Sequence, residues 1–199
     1  MGCDLPVMIE VQKEDRIKYI TSNEEAQADV AVLMLSNDEV LGFDTETESL
    51  PKFCLDPKAS LDPYRSKIRL MQFYSADFDT VYVFDMRAVT MQTVSPLFDR
   101  ALVAHNAVFD VKMVIHAGYW LKDIRCTAVE AARIDSKNLR SLADLAYVAL
   151  GQEMDKTEQV SDWSADELSI SQIRYAAKDA KTVWQIHSVM DNLCRKLLQ

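Results

Sequence analysis

The order of apolar and polar stretches predicts an α/β protein, a mixed β-sheet with helices packed on both of its faces. Two observations carry that expectation. Three strand-like runs, VLGFDTET, KIRLMQFYS and TVYVFDM, follow one another as a meander, and helical and extended patterns then alternate to the C-terminus. The composition agrees, because 49% hydrophobic and 27% charged residues with only 4 Gly and 5 Pro can fill a core and do not suit a repeat or disordered chain. A chain of 199 residues fits one domain, 1–199, with a core over about residues 17–190.

Each element has a local signature. RIKYITSN, Arg16 to Asn23, reads as a short edge strand, and Asn23 is placed to cap a helix running through EEAQADVAVLML to about Ser36. VLGFDTET is the next strand, followed by a polar loop from Glu48 to Ser66 that contains Pro51, Pro57 and Pro63. KIRLMQFYS and TVYVFDM, joined by ADFD, form an antiparallel hairpin. A helix from about Met91 to Arg100 leads into the strand ALVAHN, and AVFDVKMVIHAGYW continues as a helix. Arg125 to Arg133 starts extended and becomes helical, SLADLAYVALG is an amphipathic helix ending at Gly151, and one long helix follows Ser169.

Several classes are excluded at this level. No apolar run approaches the roughly 18 residues of a membrane span. The first residues lack a basic start followed by an apolar core, so a cytoplasmic, non-secreted chain is expected. Met1-Gly2 is not a myristoylation signal, because the sixth position is Pro6 rather than Ser or Thr. Cys3, Cys54, Cys126 and Cys194 are scattered, with no CxxC pair, which suggests neither a zinc site nor a disulfide framework. The net charge of -9 argues against wrapping a long duplex, which needs many Lys and Arg to neutralise phosphates. Contact with nucleic acid has to be short or bridged by cations.

The candidate chemistry lies in carboxylates. In a strand, residues i and i+2 share a face, so Asp44 and Glu46 of GFDTETESL project side by side and repel unless a cation lies between them. An isolated Asp-x-Glu is commonly just a solvated strand end. Here ALVAHNAVFD adds Asp110 one turn into the helix after a strand, and SQIRYAAKDAKTVW adds Tyr175 and Asp179 on one helical face at i and i+4. Taken singly, Asp110 is a charge in a first turn and Tyr175 a core residue. Together, four carboxylates without Lys or Arg partners are the donor set of hard divalent cations, Mg²⁺ or Mn²⁺. Two such ions about 3.5–4 Å apart activate water and stabilise the leaving oxygen in attack on a phosphodiester.

GFDTETESL, LVAHNAVFD and YAAKD resemble the three exonuclease motifs of the DEDD superfamily, the DnaQ-like or RNase H-like 3′-5′ exonucleases. Tyr175 four residues before Asp179 matches the tyrosine subclass; the histidine subclass has His where Arg174 stands, and His187 lies on the wrong side of Asp179. DTETESL is most similar to the proofreading domain of family A polymerases, whereas SLADLA, SDW and YAA-x-DA are more like RNase D and the Werner-type exonuclease domain. Neither HRDC, helicase nor polymerase sequence is apparent.

The resemblance implies an RNase H-like fold and a metal-dependent 3′-5′ exonuclease acting on single-stranded DNA or RNA and releasing nucleoside 5′-monophosphates by a two-metal mechanism. By the family's roles, Asp44, Glu46, Asp110 and Asp179 hold the metals, with Asp44 bridging, and Tyr175 orients the attacking water. Thr45, Thr47, Leu50, His105, Asn106 and Phe109 fall at substrate positions, while Trp163 reads as a core or rim anchor. Lys52, Lys58, Arg65, Lys67 and Arg69 either guide the strand or are ordinary loop charges. The alternatives are a proofreading subunit for a separate polymerase and an inactive nucleic-acid-binding module. A polymerase or helicase is the candidate protein partner, no membrane is involved, and a monomer or homodimer is compatible with the C-terminal helix.

Overall fold

The computed structural model describes residues 15–56, 58–134 and 141–197, and the side chains of all of these except 134 and 193–197. Met1-Gly2, Cys3, Pro6 and Pro57 therefore lie outside the described residues, as does the side chain of Cys194. In chain order the elements are β1 (Arg16–Ile20), α1 (Asn23–Met34), β2 (Leu41–Ser49), β3 (Ser66–Ser75), β4 (Thr80–Asp85), α2 (Met91–Val94), β5 (Ala101–Ala104), α3 (Val108–His116), β6 (Asp123–Cys126), α4 (Thr127–Ile134), α5 (Leu142–Leu150) and α6 (Ile170–Leu197). The strands form one mixed sheet in the order β1-β4-β3-β2-β5-β6. β2, β3 and β4 are the antiparallel meander, while β1 on β4 and β5 and β6 beside β2 are parallel.

Period-two alternation assigns the two faces. Phe43, Met71, Phe73 and Phe84 point to one side, against α1 and α3 through Leu33, Met113 and Val114. Leu70, Tyr74, Val81 and Val83 point to the other, against Ala176, Ala177 and Ala180 of α6. α4 and α5 pack on α6 through Ala131, Leu145, Ala146 and Ile186. No helix among the described residues is long and apolar enough to cross a membrane.

Small residues set how close α6 comes. A Cβ at Gly42 would lie 2.3 Å from the Ala180 carbonyl oxygen, so only glycine allows the α6 backbone to rest directly on β2. That contact positions Asp179, the residue before Ala180, above the strand that carries Asp44 and Glu46.

Helix ends differ from expectation in three places. The cap of α1 is Ser22, whose hydroxyl accepts from the Glu25 N–H, and Asn23 instead accepts from the Thr90 N–H and the Thr93 hydroxyl. The segment expected as a helix from Met91 to Arg100 is one α turn followed by a 3₁₀ turn over Ser95–Asp99, with Pro96 within it. α3 stops at His116, before Gly118 at φ +88°, and does not reach Trp120. By contrast, α5 has the expected ends, a reciprocal Ser141–Asp144 capping box and Gly151 at φ +66°.

Candidate active site

β2 delivers the first two carboxylates. Asp44 and Glu46 lie on the α6 face of the strand, half-buried, and one carboxylate oxygen from each of Asp44, Glu46 and Asp179 falls within 4.8 Å of the others. Asp179 Oδ1 is buried and accepts no hydrogen bond, an orphaned anionic oxygen on a member of that cluster. Among the described residues no Lys or Arg forms an ion pair with Asp44, Glu46, Asp110 or Asp179.

Asp110 approaches from the opposite face and is not one of the three clustered carboxylates, although its charge acts on Asp44 and Glu46. β5 pairs with β2 only at Leu41 and Gly42, so the edge of β2 beyond them is open to the first turn of α3. There the Thr45 hydroxyl, on the face away from Asp44 and Glu46, donates to Asp110 Oδ1 at 2.7 Å. Thr45 is thus a buried support of a predicted ligand, whatever contact it also makes with substrate.

The titration of these groups follows from their crowding. Burial first, and then the charges of Asp110, Glu46 and Asp179, hold the Asp44 carboxyl well above the carboxylate range. Burial, then Asp179 and Asp110, does the same to Glu46. Burial pushes Asp110 up to about 7 and Asp179 to about 6, in each case against hydrogen bonds that favour the anion. Tyr175 lies one turn before Asp179, and burial with the neighbouring carboxylates drives its phenol far above its usual value. Cations would relieve all of these shifts together, so the donor set fits hard divalent ions.

Glu48, two residues beyond Glu46, is different. Its side chain is buried, the Arg87 guanidinium grips both of its oxygens, and Lys67 lies 3.2 Å away. Burial raises its carboxyl, but Arg87 and Lys67 outweigh that and hold it below the usual range. The ladder slips between Glu46 and Thr47, with Arg69 the extra residue on β3.

A cavity of about 780 Å³ runs from Thr45, Glu46 and Glu48 past Ser60 and Leu61, bounded by Phe109 and by residues 159–164. Of the expected substrate residues, Phe109 is half-buried on its wall, and the Thr47 hydroxyl donates to the Ser60 carbonyl at 2.8 Å, which places the loop opposite. Leu50 is half-buried beside it, with its N–H bonded to the Arg65 carbonyl. Asn106 is exposed at φ +55°, a conformation asparagine tolerates better than most residues. His105 is half-buried and its Nδ1 lies 3.0 Å from the Thr127 hydroxyl. Trp163 is a buried anchor whose ring packs 6.4 Å from that of Tyr175.

The expected run of strand-guiding cations is largely committed elsewhere. Arg65 pairs with Asp56 and Asp62, Lys67 with Glu48, and Arg69 is buried against Asp85. His187 is buried between Arg125 and Glu130, clear of the carboxylates. Residues that sequence reasoning missed are Arg87 and Gln172, which fix the 161–166 segment; nothing local marks Arg87, whereas Gln172 closes a Ser169-x-x-Gln172 capping box that the sequence does signal.

The family model described as 3′-5′ exonuclease matches residues 19–195. DNA polymerase I of Aquifex aeolicus is 29% identical over 184 residues, covering 90% of this chain and 28% of that protein. The chain thus spans less than a third of that relative. Among solved structures, the Aedes aegypti Nibbler EXO domain superposes with a TM-score of 0.72 at 17% identity, over 93% of this chain and 91% of that one. Trypanosoma brucei RNase D in complex with RNA U12 gives 0.72 at 16% identity, over 88% of this chain and 62% of that one. At these identities the structural matches establish the fold.

Proposed function

The chain belongs to the 3′-5′ exonuclease family, and on that premise we propose that it removes nucleoside 5′-monophosphates stepwise from the 3′ end of single-stranded DNA or RNA. The observation that carries this reading is the cluster of Asp44, Glu46 and Asp179 oxygens within 4.8 Å, with no ion pair to a Lys or Arg among the described residues. With Asp110, these residues would hold two divalent cations, Mg²⁺ or Mn²⁺, Asp44 serving both. Such cations, when bound, supply Lewis acidity that lowers the pKa of water and neutralises charge at phosphoryl oxygens.

The chain's own groups do the rest. Tyr175, its phenol held protonated by burial and surrounding anions, is a hydrogen-bond donor rather than a base and orients the nucleophile. Asp179 keeps its buried Oδ1, which accepts no hydrogen bond, for a cation. The cavity beside Glu46 admits the terminal nucleotide, with Phe109 as a stacking wall and Thr47 on its lining, while Leu50, His105 and Asn106 stand outside that lining. Similarity to a DNA polymerase over 90% of the chain supports a second reading, a proofreading activity working with a polymerase. An inactive binding module is disfavoured by the retention of all four carboxylates and the tyrosine.

The test is degradation of matched 3′-end- and 5′-end-labelled single-stranded DNA and RNA in Mg²⁺, Mn²⁺ or EDTA, with Asp179→Ala as control. A cation-dependent ladder of shortening 5′-labelled products, absent in the variant, is expected. Intact oligonucleotides of both kinds, despite cation binding, would remove the exonuclease reading.

A further inference from the structure

We propose that Arg87 is a positioning residue for the reaction: by locking the 161–166 segment onto the carboxylate strand, it holds Trp163 against Tyr175. The inference rests on the reading of Tyr175 as the group that orients the nucleophile.

Arg87 stands two residues beyond β4, its N–H bonded to Asp85 Oδ1 at 2.9 Å. Its side chain uses every donor it has. Nε donates to Glu48 Oε1 at 3.0 Å, and Nη2 donates both to Glu48 Oε2 and to the Ser164 carbonyl, the latter at 2.7 Å. Nη1 donates to the Ala165 carbonyl at 3.3 Å and to Asp166 Oδ1 at 3.2 Å. Five N–H groups meet five acceptors, an arrangement that only the planar guanidinium can make. Asp166 is fully exposed and adds little, whereas Glu48 is buried and is the fixed end of the connection.

The other end of the segment is tied to α6. Gln172 Nε2 donates to the Ser161 hydroxyl and to the Asp162 carbonyl, both at 3.1 Å. Trp163 lies between these two anchors, buried against Tyr175. Its indole N–H has no hydrogen-bond partner, so Trp163 is held by packing and by the backbone on either side of it. Gln172 lies on the same helix as Tyr175 and moves with it. Arg87 is therefore what registers Trp163, the residue packed on the Tyr175 ring, to β2, while α6 is seated on that strand by its own contact at Gly42.

Loss of Arg87 should release Trp163 and loosen Tyr175 while leaving the carboxylates in place, because Asp44 and Glu46 are held by the sheet and Asp179 by the contact of α6 with Gly42. Supporting groups of this kind change rates by about 10–100-fold.

The experiment uses the full chain labelled with 5-fluorotryptophan, as wild type, Arg87→Ala, Arg87→Lys, Tyr175→Phe and Arg87→Ala/Tyr175→Phe. Single-turnover cleavage of a 5′-labelled oligonucleotide, Mn²⁺ affinity by calorimetry and the ¹⁹F resonances are measured, the Trp163 line being assigned with Trp163→Phe. Arg87→Ala should slow cleavage about 10-fold with unchanged Mn²⁺ affinity, and Arg87→Lys should not restore the rate. The double variant should be no slower than the slower single one, and the Trp163 line should move while those of Trp120 and Trp184 stay. If Arg87→Ala does not fold, Arg87→Lys, which keeps its charge beside Glu48 but lacks the fork of donors, carries the same comparison. Multiplicative rate losses, a full rate in Arg87→Lys, a weakened Mn²⁺ affinity or an unmoved Trp163 line would each overturn the inference. An inactive wild type, or a Tyr175→Phe variant as fast as wild type, would instead overturn the reading on which it rests.

Discussion

Two halves of one strand carry the same kind of residue to opposite ends. Asp44 and Glu46 share a face of β2 with no cationic side chain paired to them among the described residues, and burial with the repulsion of neighbouring acids raises both carboxyls. Glu48, two residues on, is just as acidic in isolation, yet Arg87 and Lys67 hold it ionised below the usual range. The difference lies in what each carboxylate faces, small helix residues and other acids upstream, basic side chains downstream. Unbalanced charge makes the upstream half a candidate cation site, and balanced charge makes the downstream half a structural tie.

The largest test of that contrast removes a ligand. Asp179→Ala should lower cleavage by more than the ~10–100-fold typical of an outer-shell group and weaken Mn²⁺ binding, while the metal-free variant melts no earlier than wild type because repulsion is relieved. A variant that unfolds but binds Mn²⁺ normally would break the contrast.

Next in size is the pH dependence of the metal-free fold. Asp110 at about 7 and Asp179 at about 6 have raised folded pKa values, so the folded state binds more protons than the unfolded one. Their contribution to stability is full below the unfolded carboxylate value near ~4 and is lost as pH rises through 6 to 7. In EDTA, melting temperature should fall between those limits as pH increases, and Mn²⁺ should cancel the fall. A metal-free melting temperature that rises across that window would contradict the raised values.

Gly42→Ala presses on the upstream half alone. The Ala180 carbonyl, 2.3 Å from the new Cβ, has to move, which should cost about 1–3 kcal/mol in denaturant unfolding. Mn²⁺ affinity should fall with it as Asp179 is displaced. Smallest is Glu48→Gln, which keeps the shape but removes the charge that Arg87 grips. It should destabilise by about 1 kcal/mol and leave Mn²⁺ affinity unchanged; a large loss of affinity would make Glu48 part of the cation site after all.

Much was legible in local pattern. The meander, the alternation after it, both ends of α5 and the acidic motifs follow from period-two and 3.6-residue spacing and from capping chemistry, all of which operate over a few neighbouring residues. Where the reading slipped, the local signal was ambiguous and a partner distant in the chain decided the outcome. Ser22 and Asn23 are both good caps, and Asn23 is drawn to Thr90 and Thr93, which are near only once the chain has folded. Arg69 looked like a loop cation because the bulge that turns it inward toward Asp85 leaves no mark in the sequence.

The sequence by itself determined which carboxylates and which tyrosine this protein has, since their identity and spacing are covalent facts. The tertiary structure decided which of the acids stay unbalanced. Asp110 comes beside β2 only because β5 is short, Asp179 joins the cluster only because Gly42 lets α6 descend, and Glu48 leaves it only because Arg87 arrives from the turn after β4. Charge balance depends on distance in space, and distances between residues far apart in the chain are fixed by packing rather than by any local rule.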